Sequence, residues 1–232
     1  MSFTDSGIRF DLLRGYSGAE KLAFPSATRK FVEKEGNTIL HTLVGCPSDI
    51  FSILGKALHS GKKLRLHTID ASTCQEHITP LLSQLQAYDP ANTTYPDNDP
   101  SWQVLALAYK HTAILRLLRL PDSYAISCTD PRIRASVNAI LDASAQVSRK
   151  SPYFKRFLFP LFVAGGETDS QHQQQYVCLC IEHIRKATGF GYKSLDGLLQ
   201  KTWEKRAEGG KVNVPWFDFV SVCRYSLQYT TC

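Results

Sequence analysis

The segment DPSWQVLALAYKHTAILRLLRLP, residues 99–121, constrains this chain more than any other. Asp99 can cap a helix, Pro100 suits a first turn, and Pro121 enforces a stop. The residues between them are apolar over most of a helical circumference. Such a helix has no face to offer water and must be wrapped by others. The fold therefore needs partner helices on several sides.

The rest of the chain supplies them. PSDIFSILGKALHSG opens with Pro47 and carries Ile50, Ile53, Leu54, Ala57 and Leu58 at helical spacing, with Gly61 read as its stop. STCQEHITPLLSQLQAY begins with Ser72 and has Gln75 three residues on, a capping-box pattern, and Pro80 is expected to kink or split it. DPRIRASVNAILDASAQV repeats the Asp-Pro start at Asp130 and Pro131, with Ile133, Val137, Ile140, Leu141 and Val147 as the inner stripe. YDPANTTYPDNDP, residues 88–100, reads as a surface loop.

RFLFPLFVAGGETD, residues 156–169, reads as a buried helix from about Tyr153, ended by Gly165 and Gly166, with Asp169 and Ser170 capping the next one. That next helix stops at Gly189, and another runs from Ser194 to the glycine pair 209 and 210. VPWFDFVSVCRYSLQY fits helix spacing through Trp216, Phe219, Val220 and Cys223, and by composition also fits a strand. The expectation is an all-α, single-domain bundle of about eight or nine helices around the central apolar one. Residues 1–44 are read as an N-terminal extension with the first helices, and 45–232 as the main helical domain.

Several functions lose their support. No run approaches the length of a membrane span, and the N-terminus lacks the apolar stretch of a signal peptide. Phosphate-binding glycine loops, G-x-S-x-G and H-E-x-x-H are all missing. The seven cysteines are dispersed, and Cys178 and Cys180 have no second pair at metal-ligand spacing, so no metal or cofactor is expected. The net charge of +6 is spread, its densest cluster being SGKKLRLH, without a DNA-reading motif. Direct nucleic-acid binding is therefore not expected.

The order of segments resembles a known family. VGCPSDIFSILGKAL, SWQVLALAY, and RFLFPLFVAGGETDSQHQQQYVCLCIEHIRKATGFGYKSLDGLLQKTWEKR with VPWFDFV are similar to the C-terminal regulatory domain of fungal zinc-cluster transcription factors. The residues carrying the likeness are Gly45, Cys46 and Pro47; Phe159 to Phe162 with Ala164, Gly165 and Glu167; Trp203; and Trp216 with Asp218. It spans about Gly45 to Val220. It implies an all-helical regulatory domain, nuclear or cytoplasmic. The family's six-cysteine DNA-binding cluster is not among these residues. The chain is thus expected to be either an excised domain or a protein that has lost that part.

What remains of the family's function is a site for a small apolar ligand, with a copy of the chain or a coregulator as partner. Trp102, Tyr109, His111, Phe159 and Phe162 are the candidate ligand contacts, joined by the aromatic area of Phe157 and Trp203. The aromatic ones are more often plain core, and a lone His111 fits a core histidine better than a general base. The alternative is an enzyme recruited from the scaffold, a cofactor-independent cyclase or isomerase. Its candidate acids and bases are Glu167, His111, Asp169 and His172.

Overall fold

The computed structural model describes residue 42 and residues 45–189, 193–210 and 212–219. The expectations for 1–44 lie outside these residues apart from position 42, as does the C-terminal segment beyond 219. Helices and short turns make up the regular structure of the described residues, with no strand among them, so the fold is all-α. The chain divides into two compact units, 1–121 and 122–232.

The first unit holds α1 (Ser48–Arg65), α2 (Ala71–Ala87) and α3 (Ser101–Arg119), each packed on the other two. Gly45 sits at φ 83°, a left-handed conformation that favours glycine, and Pro47 then takes the N-cap of α1. Gly61 does not end α1. The helix passes through it to Arg65, and a Cβ there would lie 2.6 Å from Leu120 Cδ2. The glycine is a point of close approach to the end of α3. At α2 the cap is Asp70, not Ser72: its carboxylate accepts the Thr73 N–H at 2.7 Å. Pro80 does not split the helix. It stands on the exposed side, where water can serve the carbonyl left without its usual donor.

The 88–100 loop is tightly bonded within itself. The Tyr88 and Thr93 hydroxyls lie 2.6 Å apart, Tyr95 Oη donates to the Pro90 carbonyl at 2.6 Å, and Trp102 Nε1 donates to Asp97 at 2.8 Å. Asp99 accepts the Ser101 N–H at 2.8 Å, while Pro100, expected inside the first turn, holds the N-cap position of α3. Lys110 on α3 then donates to the Gln86 and Tyr88 carbonyls, at 3.0 and 2.8 Å. It closes the C-terminal end of α2, where the helix dipole favours a cation.

The second unit holds α4 (Pro131–Gln146), α5 (Leu158–Glu167), α6 (Gln171–Thr188) and α7 (Lys193–Ala207), with 3₁₀ turns at Phe154–Phe157 and Trp216–Phe219. Asp130 caps α4 through the Arg132 N–H at 2.9 Å, and the expected inner stripe of α4 is buried. Gly189 at φ 69° ends α6, and Gly209 and Gly210, at φ 78° and 86°, follow α7. These are left-handed stops of the kind the sequence predicts. α5 is the hub: it packs on α4, α6, α7 and the first 3₁₀ turn.

Gly165 and Gly166 do not end α5; they lie inside it. A Cβ on Gly165 would stand 2.8 Å from Val177 of α6 and 3.3 Å from Leu199 of α7. One on Gly166 would stand 2.6 Å from Trp216 Cδ1. Their small size lets three other elements press directly on the α5 backbone. The cap of α6 differs as well. Ser170 occupies the N-cap position, but its side chain makes no capping bond. Thr168 Oγ1 accepts the Ser170 N–H at 3.1 Å, while Asp169 pairs with Arg134 at 3.4 Å.

Candidate functional site

Two places combine polar chemistry with apolar surroundings. The first is α3. Thirteen of its nineteen residues are buried, including Arg116 and Arg119 near its C-terminal end. Nothing in the apolar pattern marked those two cations as interior. In the first three turns the helix is partly open along one line. Val104, Leu107 and His111, spaced three and four apart, are half-buried and share a face. Partial burial pushes the His111 imidazole down to about 4, and the neighbouring Lys110 charge adds to the shift. The ring is therefore neutral at physiological pH. A neutral imidazole carries one donor and one acceptor, and this one stands at the end of a short apolar stripe.

Trp102 and Tyr109, also on α3, face the interior and are 3% and 1% exposed. Next to the start of α3 lies a half-open cleft of about 400 Å³, lined by Thr93, Thr94, Tyr95, Asp97, Asn98, Asp99, Pro100 and Gln103. It is a polar cleft, unlike the apolar cavity expected from the aromatic residues.

The second place is the C-terminal end of α5. A helix end leaves carbonyls without intrahelical donors, and here the end is buried. Side chains of α7 serve it. Trp203 Nε1 donates to the Gly165 carbonyl at 2.8 Å. Arg206 donates to the Gly166 and Val214 carbonyls at 2.7 and 2.9 Å, and to the Thr168 carbonyl at 3.2 Å. The guanidinium so holds residue 214, just ahead of the Trp216–Phe219 turn, against α5. Trp216 then lies edge-on to Phe162, with centroids 4.9 Å apart, and covers Gly166. Tyr124 Oη donates to Asp218 at 2.8 Å on the far side of the same turn.

The sequence-predicted residues divide between these places. Trp102, Tyr109 and His111 share α3 in the first unit; Phe159, Phe162, Glu167, Asp169 and His172 lie in the second. Phe157, Phe159 and Phe162 are buried. Glu167 is the last residue of α5 and only 1% exposed, whereas Asp169 and His172 are exposed. Arg206, which binds three carbonyls, was not singled out in the sequence; only its three-residue spacing from Trp203 placed both on one face of α7. Cys178 and Cys180 are free thiols, no cluster that could hold a metal surrounds them among the described residues, and burial raises both above the usual thiol range. No helix of the described residues is long and apolar enough to cross a membrane.

A family model described as the fungal specific transcription factor domain matches residues 6–230. No curated protein and no solved structure matches the chain. The residues that carried the resemblance in the second unit meet around one helix: Phe162 and Gly165 on α5, Trp203 bonded to the Gly165 carbonyl, and Trp216 against Phe162. With a match over nearly its whole length, the chain belongs to the fungal-specific transcription factor domain family.

Proposed function

We propose that this regulatory domain of transcription-factor type responds to a small apolar molecule with one polar end. The stripe Val104, Leu107 and His111 takes up the apolar body, and the neutral imidazole bonds the polar end. The observation that carries this reading is the half-buried His111, uncharged and set beside two half-buried apolar side chains on a helix most of whose residues are enclosed. A polar handle next to apolar surface is how small-molecule sites fix orientation. Binding there would bias α3, and through it a surface used by a copy of the chain or by a coregulator. In this reading the chain acts in the nucleus without touching DNA itself.

A thermal-shift screen with sterols, terpenoids and polyketides tests the proposal. A ligand present at a hundred times its dissociation constant adds about 2.7 kcal/mol of stability, a readily measured rise in midpoint. The rise should vanish in His111→Ala and survive in part in His111→Gln, which keeps a donor and an acceptor. A rise that is equal in wild type and His111→Ala would move the site away from α3. No rise with any compound would end the ligand reading.

A further inference from the structure

The C-terminal half of α1 is a basic surface with an apolar centre. No aspartate or glutamate occurs between Ile50 and Ile69, while Lys56, Lys62, Lys63 and Arg65 fall in that run. Lys56, Lys62 and Lys63 make no ion pair among the described residues. Several surface cations of the second unit do have acidic partners: Arg132 pairs with Asp130, Arg185 with Glu182 and Asp196, Lys186 with Glu182, and Lys205 with Glu208. Helix-dipole attraction accounts for cations in the last turn of α1. It accounts neither for Lys56, two turns earlier, nor for what stands among them.

That residue is Leu66, 60% exposed at the C-cap of α1. It does not hang on a loose tail. The His67 N–H bonds the Leu64 carbonyl at 3.0 Å, and the Thr68 N–H and hydroxyl both bond the Lys63 carbonyl at 3.0 Å. His67 takes φ 54°, a conformation a residue with a Cβ seldom adopts. The turn thus holds a large aliphatic side chain in water with Lys62, Lys63 and Arg65 in the helical turn before it. Phosphates would be drawn to the cations but gain nothing from the leucine. A peptide carrying both carboxylates and apolar side chains satisfies both features.

We infer that the C-terminal end of α1 docks an acidic peptide segment with apolar side chains, seated by its charges on Lys56, Lys62, Lys63 and Arg65 and anchored on Leu66. The surface differs from the His111 stripe and does not depend on it.

Fluorescence anisotropy with the full chain tests this. The probe is a labelled peptide of aspartates and glutamates interspersed with leucines. Its controls are the same peptide with serine in place of leucine, and a DNA duplex of arbitrary sequence. The leucine peptide should bind most tightly and weaken with added salt. Lys62→Glu with Lys63→Glu should weaken it about tenfold or more, and Leu66→Ser by about fivefold to tenfold. Lys62 and Leu66 are exposed and Lys63 is half-buried, and circular dichroism checks that the variants keep their helices. Equal binding of the leucine and serine peptides, tighter binding of the duplex, or a Leu66→Ser variant that binds as wild type would each overturn the assignment. So would sedimentation showing that the patch is already occupied by a second copy of the chain.

Discussion

α3 and α5 are the apolar centres of the two units, yet they are built on opposite terms. α3 fills its surroundings with side chains: Leu105, Tyr109, Leu115 and Leu117 are almost fully buried, and the helix is closed in by their volume. α5 is half as long and withdraws side chains where the contacts are closest. Val177, Leu199 and Trp216 reach its backbone because positions 165 and 166 have no Cβ. One helix is held by bulk, the other by close approach and by donors from α7 on its terminal carbonyls. The same apolar character therefore predicts opposite responses to mutation.

The sharpest contrast comes from changing volume. Leu115→Ala in α3 should cost about 3 kcal/mol, since it opens a cavity where the side chain is fully buried. In α5 the damaging direction is reversed. Gly166→Ala should cost about 2 kcal/mol despite alanine's better helix propensity, because its methyl would stand 2.6 Å from the Trp216 ring. Urea-unfolding midpoints measure both. A neutral Gly166→Ala would mean that Trp216 yields easily and that α5 is not held by close approach.

His111 extends the comparison to pH. In the folded protein its imidazole takes up a proton only at about 4, against 6.5 for the ordinary group. Acidification from pH 6.5 toward 4 therefore protonates the unfolded chain first and favours it. The stability that the neutral ring contributes is whole above pH 6.5, is lost as the pH falls, and changes no further below about 4. Allowing for the part of the ring that water reaches, the loss is about 2 kcal/mol. His111→Gln should show a correspondingly flatter fall in stability between neutral and acid pH. Equal slopes for the two proteins would mean that the ring is already solvated.

The smallest effect is the control for α5. Gly197 lies inside α7 with nothing within 4 Å of where a Cβ would stand. Gly197→Ala should stabilise by about 0.5 to 1 kcal/mol, the ordinary gain for an open helical glycine. A loss there would show that helical glycines in this chain are chosen for some reason other than contact.

Much of the fold could be read in residue order. Asp130 with Pro131, Asp99 with Pro100, and Gly189 mark helix ends through chemistry confined to a few neighbouring residues: a carboxylate on a nearby N–H, or a backbone that turns left-handed. The site was less legible. His111 stands out as a polar residue in an apolar run, but its access depends on which side of α3 the other helices leave open. Arg206 gives no signal beyond its spacing from Trp203, because its three acceptors are backbone carbonyls as many as forty residues away. Asp169 and Ser170 looked like caps by type, yet no side chain caps α6; Thr168 bonds the Ser170 N–H just ahead of the helix and Asp169 pairs with Arg134.

By itself the sequence determined that the chain is helical, where the periodic stretches lie, and that 101–119 must be enclosed. It also placed part of the family likeness on residues of the second unit that turn out to meet. Only the tertiary structure decided what the glycines do. Gly61, Gly165 and Gly166 look in sequence like Gly189, yet Gly189 ends a helix and the other three sit inside one. Glycine permits both a left-handed stop and a close approach, and the choice belongs to the neighbour. Where Leu120, Val177 or Trp216 presses in, the missing Cβ is needed for space; where nothing approaches, it frees the backbone to turn.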